Sequence, residues 1–234
     1  YEFQVSKPEA ITKVVDGKLL EPVEALTIDT REEYIGVLSE ILSKRQAQLT
    51  NMHNDGQGNV RMEFRIPTRG LIGFTNAFLT ATRGESIMNT LFLGYESWYG
   101  DIASDRNGAL VSATDGIAVT YGLNHAQGRG ITFVEPGAHV YEGMIIGLNS
   151  RVQDIAVNVC KEKKQTNVRS STSDIAIKLT PPVKLSLEQA LDFIKEDELV
   201  EVTPKSIRLR KKLLTQAERL KARHLAQVVE EELA

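Results

Sequence analysis

Residues 59–66 alternate without a fault: Val60, Met62, Phe64 and Ile66 are apolar, and Arg61, Glu63 and Arg65 between them are charged. A period of two places the apolar set on one face, which predicts a half-buried antiparallel strand ending at Pro67. Upstream, Leu26 and Ile28 share one face of a predicted strand over 23–29. The period then lengthens. Tyr34, Leu38, Ile41, Leu42 and Leu49 fall on one helical face behind Thr30 and Glu33, which have capping-box spacing. A helix is therefore expected to about residues 45–48, followed by a turn over 54–58. The loop Thr68-Arg69-Gly70 opens a second helix with Leu71, Phe74, Phe78 and Ala81 inward and Gly84 as its left-handed cap. A last strand is expected over 87–95.

These elements follow a β-α-β-β-α-β order, the split ferredoxin-like arrangement with two helices on one face of an antiparallel sheet. From Gly100 the pattern changes to short apolar runs punctuated by glycine, over 109–112, 117–121, 131–134, 144–148, 154–159 and 175–179. Short strands at near-regular spacing predict a β-rich, barrel-like unit. Ser186 and Gln189 form a second capping box, opening a short helix with Leu187, Ala190, Leu191 and Ile194 on its buried side. Two extended runs flank Pro204, and Thr215 with Glu218 caps a final helix whose tail after about residue 223 is expected to be mobile. The fold class is thus α+β: an extended arm over 1–20, a ferredoxin-like domain over 21–99, and a mostly β domain with short helices over 100–234.

One polar stretch stands out. Between the runs 154–159 and 175–179 lie Lys161, Lys163, Lys164 and Arg169, with Gln165, Thr166, Asn167 and three serines, and Glu162 is the only acid before Asp174. A hairpin needs two to five loop residues, so a connection this long is either functional or simply solvated. Lysine and arginine neutralise phosphates, and amides and hydroxyls donate to phosphate or ribose oxygens, so the functional reading is a finger over 161–173 on an RNA backbone.

Composition narrows this picture. A net charge of −3 and a pI near 5.9 exclude a generally basic nucleic-acid binder. Eight basic residues against the single acid Glu218 lie between 205 and 223, so any such surface is local. Lys205, Arg208, Arg210 and Lys212 are secondary candidates, and so is Arg69; the plainer reading of a charged edge strand is protection against pairing. The lone Cys160 excludes an intrachain disulfide and reads as a small strand-end residue, not a nucleophile. No catalytic or metal-binding constellation is expected. No apolar run reaches the roughly 18–20 residues of a spanning helix, so no membrane partner is expected. There is no Gly-x-x-x-x-Gly-Lys-[Ser/Thr] phosphate loop. The chain opens at Tyr1 and reads as part of something longer.

Several long motifs carry a resemblance. Glu21-Pro22 before a strand, the helix opening at Thr30 and Tyr34, and Lys44-Arg-Gln-Ala-Gln-Leu-Thr-Asn-Met52 resemble the last domain of translational GTPases of the elongation factor G type. The stretch from Ile66 through Pro-Thr-Arg-Gly-Leu-Ile-Gly to Phe74, the run from Glu135 to Gly147, the finger, and the runs 187–194 and 197–204 are similar to the TypA/BipA family. The resemblance implies a ribosome-associated GTPase that lacks its G domain here, with GTP and Mg bound elsewhere and no cofactor in this region. It implies cytoplasmic partners, chiefly large-subunit rRNA and A-site tRNA reached by the finger, a monomer off the ribosome, and links to subunit assembly and stress. The other reading is a protein-docking adaptor without RNA contact.

Overall fold

The computed structural model describes residues 2–102, 106–163 and 178–233, with side chains through residue 225. It divides into two compact units, Pro8–Asp105 and Arg106–Ala234, the latter joined by Tyr1–Lys7. Residues 1–20 are shared between them. β1 (Phe3–Ser6) pairs within the second unit, and β2 (Lys13–Val15) pairs with β3 (Lys18–Arg31) in the first.

In the first unit β3 leads through a single 3-10 turn into α1 (Ile35–Lys44), then β4 (Gln48–Asn54), β5 (Asn59–Pro67), the short α2 (Thr68–Leu71), α3 (Phe74–Ala81) and β6 (Ile87–Ser97). The strands lie in the order β4-β5-β3-β6, all antiparallel, with β2 added at the start of β3. This is the ferredoxin-like topology. The alternation over 59–66 is realised: Val60, Met62, Phe64 and Ile66 meet Leu26 and Ile28 of β3, Leu38 and Leu42 of α1, and Phe74 and Phe78 of α3. Burying each such side chain contributes about 1.5–3 kcal/mol.

Two expectations here need correction. Thr30 is not a helix cap; it stays in β3 opposite Val60, and its hydroxyl meets Ser86 Oγ at 2.7 Å. Leu49 is not on the helix either. Ala47 N–H returns to Leu42 O at 3.0 Å, Gln46 takes a left-handed φ of 62°, and the chain reverses into β4, where Leu49 is half exposed. That reversal supplies the strand between helix and turn.

The second unit contains β7 (Ala109–Ser112), β8 (Gly116–Ile117), α4 (Thr120–Gln127), β9 (Gly130–Thr132), β10 (His139–Val140), β11 (Met144–Asn149), β12 (Ile155–Val157), α5 (Leu187–Phe193), β13 (Glu198–Val202), β14 (Ile207–Lys211) and α6 (Gln216–Leu233). Its main sheet runs β1-β13-β14-β11-β7-β12, with β9 also on β11 and a separate β8–β10 pair. Among the described residues only β7 and β12 pair in parallel. Both faces of the sheet centre are covered. Leu110 and Ile146 pack with Leu123 and Ala126 of α4, while Ala109, Val111 and Ile145 pack with Ala190 and Ile194 near α5. A strand buried on both sides has no solvent face, which is why β7 reads as apolar through Ala109, Leu110 and Val111 before the buried Ser112. The Ser186–Gln189 capping box forms, with hydrogen bonds of 3.2 and 3.0 Å, although Leu187 is exposed rather than buried.

Candidate nucleic-acid interface

The predicted finger is mounted differently from the hairpin that its flanking runs suggest. Pairing of β12 ends at Val157, and Lys178 and Leu179 lie outside any strand. Both ends of the connection are instead fastened to α4, a helix over residues that the pattern assigned partly to a strand at 117–121. At its N-terminus, Val119 N–H donates to Val159 O at 2.9 Å, and Gly122 lies so close that a Cβ would sit 2.3 Å from the same oxygen. At its C-terminus, Gln127 donates to Thr180 O at 2.7 Å and accepts from Thr180 N–H at 3.0 Å. Lys161 and Lys163 are exposed where the chain leaves this base. Lys164, Gln165, Thr166, Asn167 and Arg169 lie outside the described residues. Helical spacing of Leu123 and Ala126, with Gly128 at the end, is the signal that could have located α4.

Arg69 turns inward. Its guanidinium holds Glu21 at 2.5 and 3.1 Å, donates to Gly100 O, and lies 3.8 Å over the Trp98 ring. Glu21 is fully buried and also accepts from Tyr99 N–H at 2.7 Å. A cation so paired and stacked braces the unit and has little charge left for a phosphate. Burial, with a hydrogen bond to Glu96, pushes the Tyr99 hydroxyl up to about 12, so it remains a neutral donor.

The second basic cluster does not converge. Arg208 and Arg210 share one face of β14, as alternation requires, but Arg210 reaches Glu201 at 3.4 Å and donates to Lys211 O. Arg208 faces Glu201 across the sheet and lines a groove of about 580 Å³ with Phe3 and Ser206. Lys205 and Lys212 are exposed at opposite ends of the strand. Between them Lys211 is buried, its ammonium 2.6 Å from Asp154, 2.8 Å from Asp197 and 2.7 Å from Glu198. Burial alone would push the Lys211 ammonium down, but Glu198, Asp154 and Asp197 together hold it above its ordinary value. Asp154 is likewise pushed up by burial yet held lower overall by Lys211 and the Ala109 N–H. Among the described residues no cluster of His, Cys, Asp and Glu could hold a metal ion, and no helix is long and apolar enough to cross a membrane.

Comparison with known proteins agrees with this two-unit division. Residues 18–106 match the family model for the elongation factor G C-terminus, and residues 107–216 match that for the TypA/BipA C-terminal domain. The chain is similar to proteins named large ribosomal subunit assembly factor BipA. The Bacillus subtilis protein is 48% identical over 95% of this chain and 36% of its own length. The Synechocystis protein is 46% identical over 90% of this chain and 35% of its own length, and the Salmonella typhimurium protein 46% over 95% and 37%. The chain thus spans about a third of the length of the curated relatives it matches. On the strength of these two adjoining matches and the topology that underlies them, the chain belongs to the TypA/BipA family, in its elongation factor G-like and family-specific C-terminal portions.

Proposed function

We propose that this region is the ribosome-docking portion of a GTP-binding factor for large-subunit assembly or translation, acting in the cytoplasm. In this reading the loop over 161–173 contacts the backbone of rRNA or of a tRNA in the ribosomal A site. The observation that carries it is the loop's mounting. A polar, lysine-rich connection has both its ends, at Val159 and Thr180, hydrogen-bonded to one helix, in a chain whose relatives are named as ribosomal subunit assembly factors. Phosphate contacts by such a loop would add affinity and salt dependence without sequence specificity.

In this reading these residues supply no GTP chemistry, because the sequence lacks a phosphate loop. The nucleotide and Mg of the family would be held outside this region, and the region's part is positioning. The secondary basic residues best placed to assist are Lys205 and Lys212, while Arg69 and Arg210 are already paired.

The test is co-sedimentation of the chain with ribosomes across a salt series. Replacing Lys163, Lys164 and Arg169 by glutamate should weaken pelleting and flatten its salt dependence; unchanged pelleting and slope would remove the loop from the interface. One observation favours a protein-docking alternative: among the described residues β6 pairs only with β3, and it exposes Ile87, Leu91 and Phe92 by 64, 68 and 58%. If Leu91→Glu abolishes ribosome binding while the loop variant does not, docking rests on that edge.

A further inference from the structure

We propose that the outer face of α4 is a second RNA-contacting surface, which stacks on the bases of a single-stranded RNA. This rests on the docking role proposed above and extends it to residues that the sequence pattern did not single out.

The helix is eight residues, about 12 Å long, and its two faces differ sharply. Gly122, Leu123 and Ala126 are buried against the sheet. Tyr121, Asn124 and His125, at spacing i, i+3, i+4, form the opposite face, with Asn124 and His125 exposed and Tyr121 half-buried. The Tyr121 and His125 rings meet edge to face, 4.6 Å apart at 80°. Each ring therefore restrains the other, and an aromatic platform exists before any ligand arrives.

Cations surround this platform. Arg129 follows the helix and is exposed; its carbonyl accepts from Ser150 N–H at 2.9 Å and from Ser150 Oγ at 2.8 Å, which brings exposed Arg151 alongside. Among the described residues neither arginine is ion-paired. Lys161 and Lys178, both exposed, mark the two feet of the loop that α4 anchors. Residues 119–130 contain no acid.

The chemistry of this face selects its partner. A protein-docking surface needs an apolar centre that can be desolvated. This face offers two rings, an amide and flanking guanidinium groups, the combination that stacks bases and neutralises phosphates of single strands. A duplex keeps its bases stacked inside and would engage only the cations.

The experiment measures binding of the whole 234-residue chain to a labelled single-stranded RNA of about 12 nucleotides and to a duplex of the same composition, alongside pelleting with large ribosomal subunits. Tyr121→Ala and His125→Ala should each weaken single-strand binding about tenfold, with the salt slope unchanged, because base stacking releases no counterions. Tyr121→Phe should bind as the parent does. Arg129→Glu with Arg151→Glu should instead reduce the slope by about 1.4, at roughly 0.7 per phosphate contact. His125 is exposed, so its removal tests stacking even if Tyr121→Ala disturbs packing. Parent-like binding by His125→Ala, equal loss on duplex and single strand, or loss with Tyr121→Phe overturns the stacking surface. If the α4 variants behave as the parent while the loop variant loses subunit pelleting, the docking role stands and this inference falls. If the unaltered chain binds neither RNA nor subunits, both fall.

Discussion

Lys211 lies in a run of basic residues from 205 to 223, where nothing in its neighbours separates it from surface charge. Strand alternation separates it: Leu209 and Lys211 face inward, and Arg208 and Arg210 face out. Once inside, the ammonium needs partners, and Asp154, Asp197 and Glu198 converge on it from different parts of the chain. Lys211→Met would leave these carboxylates without their common cation and should cost about 3–5 kcal/mol of unfolding free energy, read from the urea midpoint. The same cluster sets an acid limit. Asp154 is held below its ordinary value when folded, so its contribution is present above the unfolded value of about 3.9 and is lost as pH falls through the lower folded value. The urea midpoint should therefore fall below about pH 4, and Asp154→Asn should lose stability at pH 7 while showing a shallower fall in acid.

Elements show the same division between local signal and context. Two of three capping-box spacings are real: Ser186 with Gln189 opens α5, and Thr215 with Glu218 opens α6. Thr30 with Glu33 has the same spacing, but nine residue pairs between β3 and β5 carry the strand through Thr30, and Arg31 follows it before the turn. Tertiary pairing overrides a local cap. α4 is the converse case, a short helix that local pattern assigns partly to a strand. Gly122 is the residue that lets it settle against Val159, so Gly122→Ala should destabilise the second unit by about 1–3 kcal/mol through that overlap. Thermal denaturation with near-UV circular dichroism would read this. Gln127→Ala should leave the fold intact but speed hydrogen exchange at Thr180, whose amide loses its side-chain acceptor.

Across the described residues, several arginines that look free in the sequence are held by carboxylates. Arg61 pairs with Asp29, Arg65 with Glu96, Arg69 with Glu21, Arg106 with Glu198 and Arg210 with Glu201. A net charge of −3 therefore coexists with a local basic zone around α4 and the start of the loop. If that zone docks on RNA, the triple glutamate variant in the loop should reduce the log–log salt slope of ribosome binding by about 2–3, at 0.7–0.9 per lost phosphate contact. Lys205→Glu, at the far end of β14, should reduce the slope by no more than the roughly 0.7–0.9 of one phosphate contact in the same sedimentation assay.

The ferredoxin-like order and the family motifs were legible in the sequence, as was a polar, lysine-rich run too long for a hairpin turn, because periodicity, composition and long co-linear motifs are properties of the chain itself. Which cations are available could not be read there. Arg69, Arg210 and Lys211 look like Lys161 in one dimension, and only folding brings Glu21, Glu201 and the Asp154 cluster against them. The base of the loop was hidden for the same reason: Val159 and Thr180 meet the two ends of α4 through contacts 37 to 53 residues apart in sequence, and no local pattern records them.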